Sequence, residues 1–266
     1  MSNLLTRSIS GFVYVSLFLS AILFGEKSYI LLITAFSFVC LWEFTKLIQF
    51  KSFIPYILLP LAIYYFSAHI TENQVLIISL ITFLCFVQLM RHLYATKKKY
   101  PTSFFGKLDV TIRYIIFPFC FLTLIPFASG SYQYEILICI LIFIWVNDSF
   151  AFFVGSTIGK NKLFEQVSPK KTTEGFFGGW IFSLIAAYFI FKLHKDSNIQ
   201  LMDWFLIASL ISIFGTIGDL VESKFKRQAR IKDSGTIMPG HGGLLDRLDS
   251  LYFVAPFIYL YLHYII

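Results

Sequence analysis

Long apolar runs separated by short polar segments dominate this chain of 266 residues. Hydrophobic residues make up 57% of the sequence, more than the roughly 45–50% that is usual in soluble domains. Because no water satisfies backbone polar groups in a bilayer core, apolar runs of this kind cross it as helices. The sequence therefore predicts an all-α polytopic integral membrane protein with about nine transmembrane helices. The nine apolar runs are 8–24, 29–42, 53–66, 75–90, 114–127, 134–146, 178–191, 204–218 and 251–266. Several are shorter than the ~20 residues that span a bilayer, so we expect tilted helices or polar extensions.

Basic residues are distributed unevenly between these runs. If all nine span, 19 of the 22 Lys and Arg fall on one side, in the N-terminus and in 43–52, 91–113, 147–177 and 219–250. Lys27, Lys192 and Lys195 fall on the other side. The positive-inside rule assigns the basic side to the cytoplasm. We expect a cytoplasmic N-terminus, an extracytoplasmic C-terminus and cytoplasmic loops at 147–177 and 219–250.

The net charge of +7 does not indicate a nucleic-acid partner, because the basic residues lie in short segments beside the apolar runs. Lys97, Lys98 and Lys99 are the densest such group, and attraction to anionic lipid headgroups accounts for them. No repeat or long linker divides the chain. We interpret 1–266 as one membrane domain, with N-terminal helices over 1–127 and a motif-bearing catalytic part over 128–266.

A charge-dense block at 223–249 interrupts the apolar pattern. It holds six Lys or Arg, three Asp and one His, in a chain of which only 14% of residues are charged. Carboxylates suit a hard cation such as Mg²⁺ or Mn²⁺, Lys and Arg neutralise phosphates, and glycines let backbone N–H groups approach oxygens. The block predicts phosphate chemistry at a membrane surface.

Carboxylates near this block are candidate metal ligands. Asp219 ends the eighth run, while Asp246 and Asp249 lie three residues apart at the expected start of the ninth helix and share one face. Asp148, at the end of the sixth run, is a further candidate. A simpler interpretation is that Asp246 and Asp249 cap a helix N-terminus and that Asp219 marks the membrane interface.

A polar stripe is expected if a helix continues from Asp219 to Arg230, since Asp219, Glu222 or Ser223, Lys226 and Arg230 then recur at i, i+3/4 spacing. Glu222 and Lys226 could simply form an i,i+4 ion pair. The stretch nevertheless has more basic residues than one glutamate balances, and we interpret them as phosphate ligands: Lys226, Arg227, Arg230 and Lys232.

Glycines surround the single histidine of the block. Gly240, Gly242 and Gly243 permit the positive φ angles and close backbone approach of an anion-binding nest. His241 between them would bind phosphate or assist proton movement; a helix cap or an exposed side chain is the alternative.

An earlier polar segment, 147–179, has a similar character. Asn147 and Asp148 end the sixth run, and the residues before the seventh run offer hydroxyl, ammonium and backbone groups for a phosphate: Ser168, Pro169, Lys170, Lys171, Thr172, Glu174 and Gly175. A routine turn with a basic membrane flank is the alternative.

Both segments resemble the phosphatidate cytidylyltransferase (CDP-diacylglycerol synthase) family. The later block carries the resemblance through Ser223, Phe225, Lys226, Arg227, Lys232, Asp233, Gly235, Pro239, His241, Gly242, Gly243, Asp246, Arg247 and Asp249. The earlier segment resembles the family's Asp-containing stretch followed by Ser-Pro-x-Lys-Thr-x-Glu-Gly. Met238 and Ser156 depart from the pattern, which has another apolar residue and an Arg at these places. The resemblance covers roughly the last 120 residues.

The resemblance implies conversion of CTP and phosphatidic acid to CDP-diacylglycerol and pyrophosphate, with Mg²⁺ as the metal ion. It leaves open a second, monovalent cation, and Mn²⁺ is the alternative to Mg²⁺ on ligand chemistry alone. The expected catalytic residues are Asp219, Lys226, Arg227, His241 and Asp246. The expected substrate-binding residues are Asn147, Ser168, Lys170, Lys171, Thr172, Ser223, Lys232, Gly242, Gly243 and Arg247. The expected metal ligands are Asp219, Asp246, Asp148 and Asp249.

Two other functions compete with this one. A CTP-dependent lipid kinase of the polyprenol type would use a similar cytoplasmic nucleotide site, and a transporter would also place charges near helix ends. We expect an integral protein of a bacterial inner (plasma) membrane, in contact with membrane lipids and with its active site facing the cytoplasm. The sequence leaves open whether the chain forms a homodimer.

Overall fold

The computed structural model describes residues 3–95, 100–194 and 199–266. Lys97, Lys98, Lys99 and Lys195, which entered the charge count above, lie outside the described residues. A helix covers each of the nine predicted runs. The helices are α1 (Asn3–Phe24), α2 (Glu26–Leu47), α3 (Ile54–Ala68), α4 (Glu72–Tyr94), α5 (Phe104–Thr111), α6 (Phe117–Leu124), α7 (Tyr134–Thr157), α8 (Thr173–Leu193), α9 (Leu201–Gln228) and α10 (Leu245–Tyr264). A π-helical turn (Ile112–Ile116) joins α5 to α6, and a 3₁₀ turn (Ile125–Phe127) follows α6.

Most of these helices have the length and composition of membrane spans. Within the described ranges, seven qualify: Leu5–Phe24, Glu26–Leu47, Glu72–Tyr94, Phe104–Phe127, Tyr134–Thr157, Thr173–Leu193 and Leu201–Gln228. Helix α3 is apolar but has only 15 residues. The chain is therefore an all-α polytopic integral membrane protein.

Helix α10 is buried along nearly its whole length and packs mainly against α9 and α6. Its first turns carry Asp246, Arg247 and Asp249, and it is not among the seven helices that qualify as spans within the described residues. Stacked rings hold it in the bundle: Phe257 lies 3.7 Å from Phe214, and Phe253 lies 4.0 Å from Phe86, between ring centroids. Because protein rather than lipid surrounds α10, its charged N-terminal end lies inside the bundle.

Helices α7 and α8 approach each other closely because glycines line their contact. A Cβ added to Gly179 would lie 2.6 Å from the Asn147 carbonyl oxygen, and one added to Gly178 would lie 2.6 Å from Val154. Between the two helices the chain forms an antiparallel hairpin of β1 (Lys162–Phe164) and β2 (Ser168–Thr172). The sequence predicted a polar loop here and no strands.

The hairpin leads directly into α8. The Thr172 hydroxyl accepts a hydrogen bond from the Gly175 N–H at 3.1 Å and so caps the helix. The two residues before the cap are lysines, and the cap fixes their position at the end of the bundle.

Helix α9 confirms the predicted continuation past Asp219 but ends at Gln228 rather than at Arg230. Arg230 has a left-handed φ of 59°, which no helix interior accommodates. The polar stripe predicted on this helix therefore includes Asp219, Glu222, Ser223 and Lys226, and Arg230 lies beyond it.

Candidate functional site

A cavity of about 640 Å³ lies at one end of the bundle. The C-terminal parts of α7 and α9, the N-terminal ends of α8 and α10, and the hairpin surround it. We call it the polar cavity. The predicted site residues that line it are Asn147, Asp148, Lys170, Lys171, Thr172, Asp219, Lys226, Asp246, Arg247 and Asp249. Both sequence motifs thus contribute to one cavity.

Other predicted residues lie outside this lining, as far as the described part of the chain defines it: Ser168, Ser223, Arg227, Lys232, His241, Gly242 and Gly243. Ser223 is adjacent, because its hydroxyl donates to Asp219 at 3.1 Å. Arg227 donates from Nε to the Val167 carbonyl at 3.2 Å and ties α9 to the hairpin turn. Lys232 is exposed in the loop after α9.

An ion pair joins the earlier motif to helix α9 across the cavity. The Lys171 ammonium lies 2.5 Å from a carboxylate oxygen of Asp219. Burial opposes the charge on Lys171, but the Asp219 carboxylate outweighs this effect and raises the pKa of the Lys171 ammonium. Lys171 therefore carries its positive charge into the cavity at neutral pH.

Lys226 lies between two carboxylates. Its ammonium donates to Glu222 at 2.8 Å and to Asp246 Oδ1 at 2.6 Å. The Glu222 contact is the i,i+4 pair that the sequence indicated, whereas the Asp246 contact connects α9 to α10. The other oxygen of Asp246 accepts the N–H groups of Ser234 at 2.9 Å and Gly243 at 2.8 Å. Asp246 is thus held by three hydrogen bonds in one orientation.

Three acidic side chains form a cluster that could hold a metal ion. Ligand oxygens of Asp219, Glu222 and Asp249 all lie within 4.8 Å of one another. Glu222 is 0% exposed, and its Oε1 is a buried atom without a hydrogen-bond partner among the described residues. A buried carboxylate oxygen without a partner is costly unless a cation occupies the space. An all-oxygen donor set fits Mg²⁺ or Mn²⁺.

This acidic cluster differs from the predicted metal ligands in its membership. Within the described residues it includes Asp219 and Asp249 but neither Asp148 nor Asp246, although both line the cavity. The sequence interpretation placed Glu222 in a polar stripe and considered it as an ion-pair partner, but did not propose it as a metal ligand. The i,i+3 spacing of Asp219 and Glu222, which places them on one helix face, was the signal that could have identified it.

The glycine-rich loop before α10 folds on itself. Met238 and Gly242 exchange two backbone hydrogen bonds, at 3.0 and 3.1 Å, and Gly240 and Gly242 have φ angles of 77° and 96°. These angles are left-handed, so glycine suits both positions. The Gly242 and Gly243 N–H groups already donate within the protein, to Met238 and Asp246.

His241 faces the first helix. Its Nδ1 lies 2.7 Å from the Ser10 hydroxyl, while the Arg247 guanidinium donates to its carbonyl oxygen at 2.7 Å. Partial burial, followed by the charges of Arg247 and Arg7, lowers the pKa of His241. The imidazole is therefore more often neutral at pH 7 than an exposed one.

The cavity also has lining residues to which the sequence analysis assigned no catalytic, substrate-binding or metal-binding role. Lys162 and Asp233 add charges, and Ser156 lines the cavity where the family pattern has Arg. Phe152 and Phe176 add apolar surface, and Phe152 is 76% exposed on the outside of the bundle. The cavity lining therefore combines charged and apolar side chains, and Phe152 of α7 connects it to the exposed surface.

Comparison with known proteins extends the similarity beyond the two motifs. Residues 5–265 match the profile of the Cytidylyltransferase family. A protein named phosphatidate cytidylyltransferase from Bacillus subtilis (strain 168) is 34% identical, over 97% of this chain and 97% of that protein. One of the same name from Staphylococcus saprophyticus is 44% identical over 53% of this chain and 56% of its own length. Another from Staphylococcus aureus (strain COL) is 45% identical over 43% and 44%.

Proposed function

Because the chain belongs to the cytidylyltransferase family, we propose that it transfers the cytidylyl group of CTP to phosphatidic acid, forming CDP-diacylglycerol and pyrophosphate. It is a nucleotidyltransferase of phospholipid biosynthesis. The observation in the structure that carries this function is the polar cavity, to which both motifs bring lysines and carboxylates. A polyanionic nucleotide and a lipid phosphate both require such a site.

The reaction needs little covalent participation from the protein. A phosphate oxygen of phosphatidic acid attacks the α-phosphorus of CTP, a new P–O bond forms, and the bond from the α-phosphorus to the bridging oxygen breaks as pyrophosphate leaves. The attacking phosphate is already ionised at neutral pH, so no general base is assigned. Positioning of the two phosphates and neutralisation of their charges supply the catalysis.

Basic side chains supply part of that neutralisation. Lys171 and Lys226 are held in fixed positions by carboxylates, so neither must be reoriented when charge develops. Lys170 and Arg247 also line the cavity and are more exposed. We assign them to the outer phosphates of the nucleotide.

The acidic cluster would hold Mg²⁺ or Mn²⁺ through Asp219, Glu222 and Asp249. When bound there, the metal ion supplies positive charge against the phosphate oxygens. Asp246 then has a different part: its carboxylate orients Lys226 and closes the glycine-rich loop.

The lipid substrate would reach the cavity from the membrane. Phe152 lines the cavity and is exposed on the outer surface of α7, so acyl chains can remain among apolar side chains while the headgroup enters. The division of basic residues between the two sides supports a cytoplasmic location of the cavity, where CTP is available. Since the relatives are bacterial proteins, we place the protein in a bacterial inner membrane.

Labelled nucleotide tests this function directly. Purified protein receives phosphatidic acid with either α-labelled or γ-labelled CTP. We expect the α label in a lipid product and the γ label in pyrophosphate. Transfer of the γ label to lipid, or acceptance of an alcohol lipid in place of phosphatidic acid, would identify a lipid kinase and contradict the proposal. A reaction without lipid provides the background.

A further inference from the structure

A glutamate in the N-terminal half of the chain contacts the loop that carries the second motif. Glu43 lies on α2 and is 0% exposed. Its Oε2 accepts the backbone N–H of Leu245 at 2.7 Å and the hydroxyl of Ser234 at 3.2 Å. These contacts span 202 and 191 residues of sequence, and neither motif includes Glu43.

The first of these contacts caps α10. Leu245 is the first residue of that helix, and its N–H is one of the groups that a helix leaves without an internal partner. The preceding residue, Leu244, has no side-chain oxygen and makes no cap. Glu43 supplies from α2 the acceptor that a local Ser or Asp usually provides, and a carboxylate at this end also opposes the helix dipole.

Both contacts of Glu43 lead to Asp246. Ser234 donates its hydroxyl to Glu43 and its backbone N–H to Asp246 Oδ2. Leu245, held by Glu43, immediately precedes Asp246. The opposite oxygen of Asp246 binds Lys226 at 2.6 Å. Glu43 is therefore connected, through one intervening residue, to the Asp246–Lys226 pair that lines the polar cavity.

The surrounding glycines fit this arrangement. A Cβ on Gly243 would lie 2.6 Å from both carboxylate oxygens of Glu43, and the nearest atoms to a Cβ on Gly235 all belong to Glu43. The loop thus wraps around the carboxylate so closely that only glycine fits at these two positions. Gly235, which follows Ser234, and Gly243, which lies three residues before Asp246, both belong to the family pattern, and this close contact gives a physical reason for both.

Burial of this carboxylate is not explained by stability alone. Its Oε1 has no hydrogen-bond partner among the described residues, and a buried charged group often contributes less to stability than an apolar one of similar size. We propose that Glu43 is a positioning residue, which holds the loop and the start of α10 so that Asp246 presents its carboxylate to Lys226. The proposal rests on the proposed function, since it assigns Glu43 a part in the same site.

Variants at Glu43 test the proposal by catalysis. We expect Glu43→Ala to lower kcat by about 10- to 100-fold, as loss of supporting contacts commonly does, with the KM values for CTP and phosphatidic acid little changed. Glu43→Gln keeps a carbonyl oxygen for Leu245 and Ser234 and should restore most of kcat. Thr45→Val is the matched control, because Thr45 is buried on α2 but bonds to Tyr56 and Trp42. It should leave kcat unchanged.

Hydrogen exchange tests the same proposal without catalysis. In Glu43→Ala, the amides of 243–247 should exchange at least about tenfold faster than in the wild type, because the cap no longer holds them. If Glu43→Ala does not fold, Ser234→Ala removes one of the two contacts and should show a smaller change in the same direction. The proposal is overturned if a folded Glu43→Ala, or Ser234→Ala, has the same hydrogen-exchange rates and the same kcat as the wild type. If the wild type forms no CDP-diacylglycerol but hydrogen exchange at 243–247 is still faster in the variants, the proposed function is contradicted. The structural contact of Glu43 with this loop is then still established.

Discussion

The Lys171 ammonium lies 2.5 Å from a carboxylate oxygen of Asp219. Lys171 is the penultimate residue of β2, the strand before α8, while Asp219 lies two-thirds of the way along α9. This contact connects the earlier motif to α9, which continues into the later motif, and it leaves a fixed positive charge on the cavity wall. It also gives the Asp219 carboxylate a counter-charge.

Removal of this charge should affect catalysis far more than removal of its neighbour. We expect Lys171→Met to lower kcat/KM by about 100-fold or more, since a positioned charge is lost from the site of phosphate transfer. Lys170→Met is the matched comparison. Because Lys170 is exposed, solvent weakens its attraction to phosphate, and its loss should lower kcat/KM only a few-fold. Formation of CDP-diacylglycerol by both variants is measured at several CTP concentrations. Equal losses would show that the contact with Asp219 has no special part.

The acidic cluster predicts which variants change the metal requirement. Asp249→Asn should raise the Mg²⁺ concentration for half-maximal activity by about tenfold or more, since it removes one charged ligand of the cluster. Asp246→Asn should instead lower kcat at saturating Mg²⁺, because its carboxylate binds Lys226 and lies outside the cluster. A chelator should abolish wild-type activity, and Mg²⁺ or Mn²⁺ should restore it. If only Asp246→Asn changes the Mg²⁺ requirement, Asp246 is a metal ligand, as the sequence predicted, and Asp249 is not.

The position of His241 predicts that its loss has little effect on catalysis but a measurable effect on the stability of the protein. His241→Gln should keep kcat within about threefold, because the ring contacts Ser10 rather than the cavity. The pKa of His241 is lowered from its ordinary 6.5, so the unfolded chain binds this proton more readily than the folded one. The stability that depends on the neutral ring is therefore complete above about pH 6.5 and is lost as the pH falls below it.

Thermal midpoints at several pH values between 5 and 8 check this sign. The wild type should lose stability towards pH 5, and His241→Gln should lose less. A loss of kcat by two orders of magnitude in a folded His241→Gln would place the ring at the reacting groups, as the sequence interpretation expected.

The helix cap at Thr172 predicts a difference between two conservative changes. Thr172→Ala should destabilise the protein by about 1 kcal/mol, whereas Thr172→Ser should keep the cap and most of the stability. Activity should follow the same order, since the cap fixes Lys171. Thermal midpoint and CDP-diacylglycerol formation are measured together. If Thr172→Ser folds normally but is as inactive as Thr172→Ala, the threonine methyl group contacts a substrate and the cap is secondary.

The membrane topology can be determined with accessibility probes. A reporter fused after Ile266 should be extracytoplasmic, and single-cysteine probes in 147–177 and 219–250 should react from the cytoplasm, as the uneven distribution of basic residues predicts. The four native cysteines are buried, so their background labelling should be low. Labelling of the two loops from opposite sides would contradict the cavity itself, because both loops form its wall.

Much of the site could be recognised from local sequence. Lys226 and Glu222 are four residues apart on one helix, so their pairing follows from helical geometry. The alignment of Asp246 and Asp249 on one face of α10 follows for the same reason. The types and spacing of the charged residues at 223–249 also predict phosphate chemistry without knowledge of their contacts.

Other parts could not be found in this way. Two short strands pair antiparallel within 162–172, whereas the composition indicated only a polar loop. His241 and Arg227 stand in the motif with residues that line the cavity, yet their side chains contact Ser10 and the hairpin turn. Membership of a motif does not specify the direction in which a side chain points.

The sequence by itself determined the helices and the reacting chemistry, since apolar runs must form helices in a bilayer and local spacing assigns side chains to helix faces. The tertiary structure alone decided that Lys171 meets Asp219, that Lys226 meets Asp246 and that Glu43 caps α10. Lipid is as apolar as the helix surfaces, so hydrophobicity does not select which helices become neighbours. Glycine contacts, aromatic stacking and buried hydrogen bonds make that selection, and they depend on residues far apart in the chain.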